Sequence, residues 1–210
     1  MGIIWMEKMS GIIEATNVQA GNIKSITGNA AITVANDGGI TLASPLPISQ
    51  GGTGSSSFTA STMTLETTTA TTSGTAVDYG SIPSGTKRIS IMFNAVTGAN
   101  ASVLIRLGTS SGLTTSGYVT NSSWGADQVQ DTSGFIVYGS GGGNTISGIL
   151  TICHMGSNLF VGSHAVRYNS SNGVFGGGHV QLGGTLDRLR VQMVSGGAFS
   201  GGSVNIMYES

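Results

Sequence analysis

The sequence predicts an all-β protein with a short interwound β-shaft followed by a β-sandwich head of jelly-roll type. Of its 210 residues, 35 are glycine, only 8% are charged and 39% are hydrophobic. Disordered chains are poor in hydrophobic residues and rich in charge, so this chain should fold. Short runs that alternate apolar and polar residues lie between Gly, Asn and Ser turn signals, and no helical period stands out. A sparsely charged β-rich surface also favours an obligate oligomer.

The first segment, residues 1–16, begins with the apolar stretch MGIIWMEKMSGII. It lacks the basic start of a secretory signal, and Glu7 and Lys8 interrupt its apolar run. It is also too short to span a bilayer, so no membrane insertion is expected. Because Ile3, Ile4 and Trp5 would be costly to expose, we expect this end to dock onto another protein.

Residues 17–44 are quasi-repetitive. Pairs of apolar residues recur at a spacing of roughly eight residues, with Gly, Asn and Asp turn signals between them. Each unit is too short to bury both of its faces, so it would stack on its neighbours or wind around other chains. This pattern predicts a thin interwound β-shaft. The recurring pairs are Ile23 with Ile26, Ile32 with Val34, and Ile40 with Leu42.

Residues 45–60 contain PLPISQGGTGSSS and are interpreted as a joint. Pro45 and Pro47 restrict the backbone at the entry, whereas Gly51, Gly52 and Gly54 permit angles closed to other residues. A phosphate-binding loop would need a lysine after the glycines, and none follows. We therefore expect an ordered joint that packs against its symmetry copies where the shaft meets the head.

Residues 61–210 are predicted to form the β-sandwich head. In KRISIMFNAV, the residues Ile89, Ile91, Phe93 and Ala95 alternate with more polar ones and should share one face. About ten runs of this kind, without a convincing helix, are typical of a sandwich of jelly-roll type.

Several function classes are disfavoured by the composition. The formal net charge is −1 and no basic run exists, which argues against nucleic-acid binding. The single cysteine, Cys153, excludes an intrachain disulfide and is interpreted as a buried, inert thiol. His154, His164 and His179 do not pair at metal-ligand spacings, although one histidine near a threefold axis would occur three times. No metal and no cofactor are expected.

Catalysis is also disfavoured. A glycan hydrolase needs two carboxylates across the sugar, and only Asp127 and Asp131 are near neighbours in the head. These two are interpreted as turn residues, and no Ser-His-Asp order stands out in this serine-rich chain. We expect a protein that is not an enzyme.

The joint carries a resemblance to a known family. LPISQGGTG resembles a segment of tail fibre proteins of tailed bacteriophages, and two head stretches are similar to a C-terminal module of such fibres. These stretches are TSGTAVDYGSIPSGTKRISIMFNAV and TLDRLRVQMVSGGAFSGGSVNIMYE. The resemblance covers roughly residues 23–210. It implies a homotrimer on the virion, attached to other phage proteins through its N-terminus, whose head binds a host surface glycan or outer-membrane protein.

Two polar loops of the head are the candidate receptor-binding segments. Sugars present flat C–H faces and hydroxyls, which aromatic rings and amide side chains bind. A tryptophan in such a loop is either a plug over the core or a recognition platform. The candidates are Tyr118, Asn121, Trp124, Asp127 and Gln128 in the first loop, and Tyr168, Asn169 and Asn172 in the second.

Arg188 and Arg190 alternate with apolar residues, so both guanidinium groups should leave the same face of one strand. An intersubunit seam of ion pairs is the first interpretation, and a patch for phosphates or acidic sugars is the second. A solvated face is the third.

The sequence thus predicts a non-enzymatic, trimeric tail fibre or spike. Two alternatives stay open: a capsid-mounted head fibre or decoration protein without a receptor role, and a polysaccharide depolymerase.

Overall fold

The computed structural model describes residues 22–24, 30–34, 39–42, 44, 61–99, 102–139, 143–169 and 172–210. The chain divides into two compact units, Met1–Ala60 and Ser61–Ser210. Within the described residues the regular structure is antiparallel β-sheet, apart from one 3₁₀ turn at Val194–Gly196. The predicted all-β class is confirmed. No helix in these ranges is long and apolar enough to cross a membrane.

The first unit contains a three-stranded antiparallel meander. Its strands are β1 (Asn22–Lys24), β2 (Ala30–Val34) and β3 (Ile40–Leu42). In the central strand, Ile32 pairs with Ile23 on one side and with Leu42 on the other. The described residues of the apolar repeats therefore lie in strands that pair within one chain, and Ile26 lies outside the described residues. The predicted anchoring residues Ile3, Ile4 and Trp5 and the predicted joint at 45–60 lie outside the described residues.

The second unit contains a large antiparallel sheet of nine strands. They follow the order β11-β10-β15-β14-β13-β7-β17-β4, and β5 also pairs with β17. Its strands are β4 (Met63–Leu65), β5 (Thr69–Ala70), β7 (Arg88–Gly98), β10 (Tyr118–Trp124), β11 (Asp127–Asp131), β13 (Ile146–Gly156), β14 (Leu159–Tyr168), β15 (Asn172–Gln181) and β17 (Phe199–Glu209).

A smaller antiparallel sheet of five strands completes this unit. Its order is β12-β8-β16-β6, and β9 pairs with β8. The strands are β6 (Ala76–Tyr79), β8 (Val103–Thr109), β9 (Gly112–Leu113), β12 (Phe135–Val137) and β16 (Arg188–Met193). Side chains of both sheets join in one hydrophobic cluster, so the unit is a β-sandwich.

Alternation along β7 places its apolar residues in this core. Ile89, Ile91 and Phe93 are buried as predicted, but the prediction that Ala95 continues the same face is wrong. A β-bulge lies here: Ala95 has a positive φ of 51°, and the next buried residue is Val96. The extra residue shifts the alternation by one position. The Ala95 N–H donates to Ser147 Oγ at 2.9 Å.

Candidate functional site

Three aromatic side chains form a cluster in the head. The ring centroids of Trp124 lie 6.2 Å from those of both Tyr138 and Tyr168, and the two tyrosine rings are 6.5 Å apart. Trp124 stacks on Tyr138 with an interplanar angle of 21°. Trp124 and Tyr138 are half-buried against the hydrophobic core, and Tyr168 is buried. We call these three residues the aromatic cluster.

Each ring reaches the cluster because it stands at the end of a strand. Trp124 is the last residue of β10, and the turn to β11 follows at Gly125, whose φ is 59°. Tyr138 comes directly after β12, and Tyr168 is the last residue of β14. Strands β10 and β14 flank β15 in the large sheet, so their ends lie near each other.

Amide side chains hold the loops around these rings. Asn144 Nδ2 donates to the hydroxyl of Tyr168 at 2.5 Å. The Thr145 N–H donates to Asn169 Oδ1 at 3.2 Å, and the Asn169 N–H donates to the Thr145 carbonyl at 3.0 Å. The Gly139 N–H donates to Ser102 Oγ at 3.0 Å. The β12–β13 loop is therefore fastened to its neighbours on two sides.

The cluster brings together the two segments proposed from sequence, because Trp124 comes from the first and Tyr168 from the second. Aromatic rings beside amides can stack on sugar C–H faces and bind hydroxyls. Trp124 also packs on the core, so the plug and platform interpretations are not exclusive. Sequence reasoning missed Tyr138 and Asn144. The only signal for Tyr138 was its position after the apolar strand FIV.

The other candidate residues of the first segment lie in different surroundings. Tyr118 is only 1% exposed, and its ring packs edge-on against Phe135 at 5.5 Å. The prediction that Tyr118 contacts a receptor is therefore wrong, because the alternation of β10 turns it into the core. Asp127 and Gln128 are exposed on the edge strand β11, and Asn121 is exposed on the neighbouring strand.

The second segment also contributes to a shallow depression on the large sheet. Asn172 lines it together with Arg167 and Phe175. This depression lies between the ends of β14 and β15, next to the hairpin that carries Asn169.

The two carboxylates weighed for catalysis stand at opposite ends of β11. Four residue steps of extended strand separate their Cα atoms by about 13 Å, so the two residues are not neighbours on the strand. Asp131 Oδ1 accepts hydrogen bonds from the N–H and the hydroxyl of Ser133, at 2.5 and 2.7 Å. Asp131 thus serves a turn, as sequence reasoning proposed.

The arginines of β16 pair with acids of their own chain. Arg190 makes a bidentate contact with Asp78, its cross-strand partner on β6, at 2.6 and 2.7 Å. Arg188 contacts the adjacent Asp187 at 3.0 and 2.8 Å. The Asp78 hydrogen bond raises the pKa of Arg190. The acids that the sequence interpretation assigned to a neighbouring subunit are thus supplied here within one chain.

The three histidines have different surroundings. His164 is buried, and its Nε2 lies 2.8 Å from Ser122 Oγ; burial lowers its pKa to about 4. The ring of His154 stacks on Phe160 at 4.8 Å. His179 is exposed on β15. Among the described residues, no three His, Cys, Asp or Glu side chains gather in a way that could hold a metal ion.

Comparison with known proteins adds no relative. No family model matches the chain, and neither a curated protein nor a solved structure is significantly similar to it.

Proposed function

We propose that this chain is a trimeric tail fibre or spike of a tailed bacteriophage, whose head binds a receptor on the host surface. One observation carries the receptor role: Trp124 and Tyr168, from two segments proposed independently for recognition, lie 6.2 Å apart. Trp124 and Tyr138 are the half-buried rings of the cluster, and they are suited to stacking on a glycan or on a loop of an outer-membrane protein, whereas the buried Tyr168 packs against them from the core.

The strand order supports a head of jelly-roll type. From β6 onward the chain visits the smaller and larger sheets by turns: β6, then β7, then β8, then β10 with β11, then β12, then β13 to β15, then β16. The strand order in the smaller sheet is β12-β8-β16-β6. The larger sheet contains the continuous order β7-β13-β14-β15-β10-β11. This path agrees with the double Greek key of a jelly roll whose larger sheet would be widened by a hairpin and by β17.

The first unit suits a shaft. Strands of three to five residues bury little apolar surface alone, and Ile40 is 69% exposed in the chain as it stands. Winding three copies together would cover such residues, and three heads on one shaft would bind a dense receptor surface with avidity. Ile3, Ile4 and Trp5 would anchor the trimer to another virion protein.

A non-enzymatic head agrees with the geometry of its acids. Asp78 and Asp187 form ion pairs with Arg190 and Arg188. Asp131 accepts a hydrogen bond from Ser133, and Glu209 forms an ion pair with Arg88 at 2.8 Å. A depolymerase, the less favoured alternative, would need a carboxylate pair facing one cleft. A capsid-mounted fibre differs from the proposal in location and in lacking a receptor role.

Soluble full-length protein should bind host cells and compete with phage adsorption. Trp124→Ala should reduce competition at least tenfold, because it removes the largest ring of the aromatic cluster. Gln181→Ala is the control, since Gln181 is exposed at the far end of β15. Thermal unfolding of both variants would reveal any loss of folding. Absence of cell binding by the folded wild type would overturn the receptor role, and release of reducing sugar from host polysaccharide would overturn the non-enzymatic assignment.

A further inference from the structure

The large sheet has one face in the sandwich core and one face turned away from it. Strand pairing aligns the outward side chains of seven strands, β10, β15, β14, β13, β7, β17 and β4, in rows across the sheet. One row contains Phe175, Ala165, Ile149 and Met92, and the row two residues along contains Gly177, Ser163, Thr151 and Ser90. We call this surface the outer face.

The outer face collects the exposed apolar side chains of the head. Every large hydrophobic residue that is exposed in the described part of 61–210 lies on it. Phe175 and Val119 are each 62% exposed, and Met155 is 68% exposed. Exposed apolar side chains that gather on one face often mark an interaction surface. The six residues are Met63, Leu65, Val119, Ile149, Met155 and Phe175.

Charge is almost balanced on this face. Arg88 and Glu209, directly opposite each other on β7 and β17, form an ion pair at 2.8 Å. Among the described outward residues of the outer face, Arg167 is the one charged residue that does not belong to this pair. The smaller sheet is different, since Asp78, Arg190 and Arg106 stand side by side across its outward side. Because this face is nearly neutral, three copies of it can meet around a shared axis without strong like-charge repulsion.

The size of the outer face matches that of a stable protein interface. Seven strands at about 4.8 Å spacing span about 29 Å, and the eight residue steps from Ser147 to Met155 span about 26 Å. Their product is roughly 750 Å², close to the roughly 800 Å² that each partner buries in an interface of standard size.

We propose that the outer face of the large sheet is the surface through which heads of this protein pack against one another, so its occupant is a second copy of this chain. The inference rests on the proposed trimer and locates its head contact on the sheet opposite Arg188 and Arg190. Trp124 and Tyr168 lie on the core side of the large sheet, so assembly through the outer face does not cover the half-buried ring of Trp124.

Lysine substitutions on the outer face test the proposal in the full-length protein. Phe175→Lys and Ile149→Lys each place a charge in the apolar row, where packing against a copy would bury it without a partner. Ser116→Lys adds the same charge at an exposed loop position before β10. Light scattering after size-exclusion chromatography gives the mass of each protein, and circular dichroism confirms that each variant folds.

The lone cysteine supplies a second readout that works even if the first unit alone keeps three chains together. Cys153 is a free, half-buried thiol on the outer face, between Arg88 and Val161 of the neighbouring strands. Packing of heads should shield it. We expect slow maleimide labelling of Cys153 in the wild type and in Ser116→Lys, and labelling at least tenfold faster in Phe175→Lys and Ile149→Lys.

The outcomes separate this inference from the proposed function. A lower mass or faster labelling in both outer-face variants, with Ser116→Lys unchanged, supports the packing. A wild type that is monomeric, or a multimer whose thiol reacts as fast as in the variants, overturns it. In that case cell binding by the wild type would still support the receptor role, because the aromatic cluster that carries this role does not lie on the outer face.

Discussion

Ser122 Oγ lies 2.8 Å from Nε2 of His164 inside the sandwich. The same oxygen accepts the Tyr138 N–H at 2.9 Å, and its second lone pair and its own proton leave either partner able to donate in the Ser122–His164 hydrogen bond. Both side chains are buried, and burial lowers the pKa of His164 to about 4. Burial therefore favours a neutral imidazole in this pair, which lies beside the backbone that leads into the aromatic cluster.

The first prediction concerns stability against pH. An unfolded histidine has a pKa of about 6.5, so between about pH 6.5 and pH 4 the unfolded state binds the extra proton. Stability from His164 should be complete above about pH 6.5, fall as the pH drops, and level off below about pH 4. The loss should be about 3 kcal/mol. Urea unfolding at several pH values measures it.

Two variants isolate this effect. His164→Gln should flatten the difference between pH 7 and pH 4, whereas His179→Gln, at an exposed position, should keep the wild-type profile. An unchanged pH profile in His164→Gln would contradict the assignment.

The second prediction concerns the hydroxyl of Tyr118. The buried Leu107 N–H donates to this hydroxyl at 2.8 Å, and burial raises the pKa of Tyr118 to about 12. Tyr118→Phe keeps the ring against Phe135 but leaves the Leu107 N–H without its acceptor. The free energy of unfolding should fall by about 1–3 kcal/mol. Tyr208→Phe is the control, because its hydroxyl contacts the Glu66 carboxylate near solvent at 3.2 Å and should cost less. Equal losses in the two variants would refute this role for Tyr118.

The third prediction compares two glycines of β15. A Cβ on Gly176 would lie 2.6 Å from His164 Cε1 and against the Asn121 carbonyl, whereas one on Gly173 would meet nothing within 4 Å. Gly176→Ala should therefore lower the free energy of unfolding by about 1–3 kcal/mol or more. Gly173→Ala should change it by less than about 0.5 kcal/mol. Denaturant unfolding of both proteins decides the matter, and a neutral Gly176→Ala would contradict the close approach.

Local patterns predicted the strands well and their partners poorly. Alternation in KRISIMFNAV gave the buried face of β7 up to the bulge at Ala95, which no local signal marked. In β10 the inward positions include the polar residues Thr120 and Ser122. The local pattern therefore predicts a polar loop with Tyr118 on its surface, rather than a strand with Tyr118 in the core. Buried polar residues that form hydrogen bonds inside the sandwich interrupt the alternation of apolar and polar residues by which a strand is recognised.

The candidate site could be predicted only in parts. Trp124 and Tyr168 were singled out by residue type, but their proximity depends on β15 pairing with both β10 and β14. The order of strands in a sheet depends on tertiary packing rather than on the residues of any one strand. The partners of Arg188 and Arg190 were missed for the same reason, since the position of β6 beside β16 provides Asp78.

The last prediction concerns that ion pair. Arg190 and Asp78 are side chains with 35% and 58% exposure, so their bidentate contact should contribute no more than about 1 kcal/mol. A double-mutant cycle of Arg190→Ala, Asp78→Ala and the pair should give a coupling of that size, smaller still at high salt. Because the acid belongs to the same chain, none of the three variants should change the mass of the assembly measured by light scattering. Dissociation of Arg190→Ala into monomers, with its fold intact by circular dichroism, would instead restore the intersubunit seam inferred from sequence and count against the outer face as the main contact.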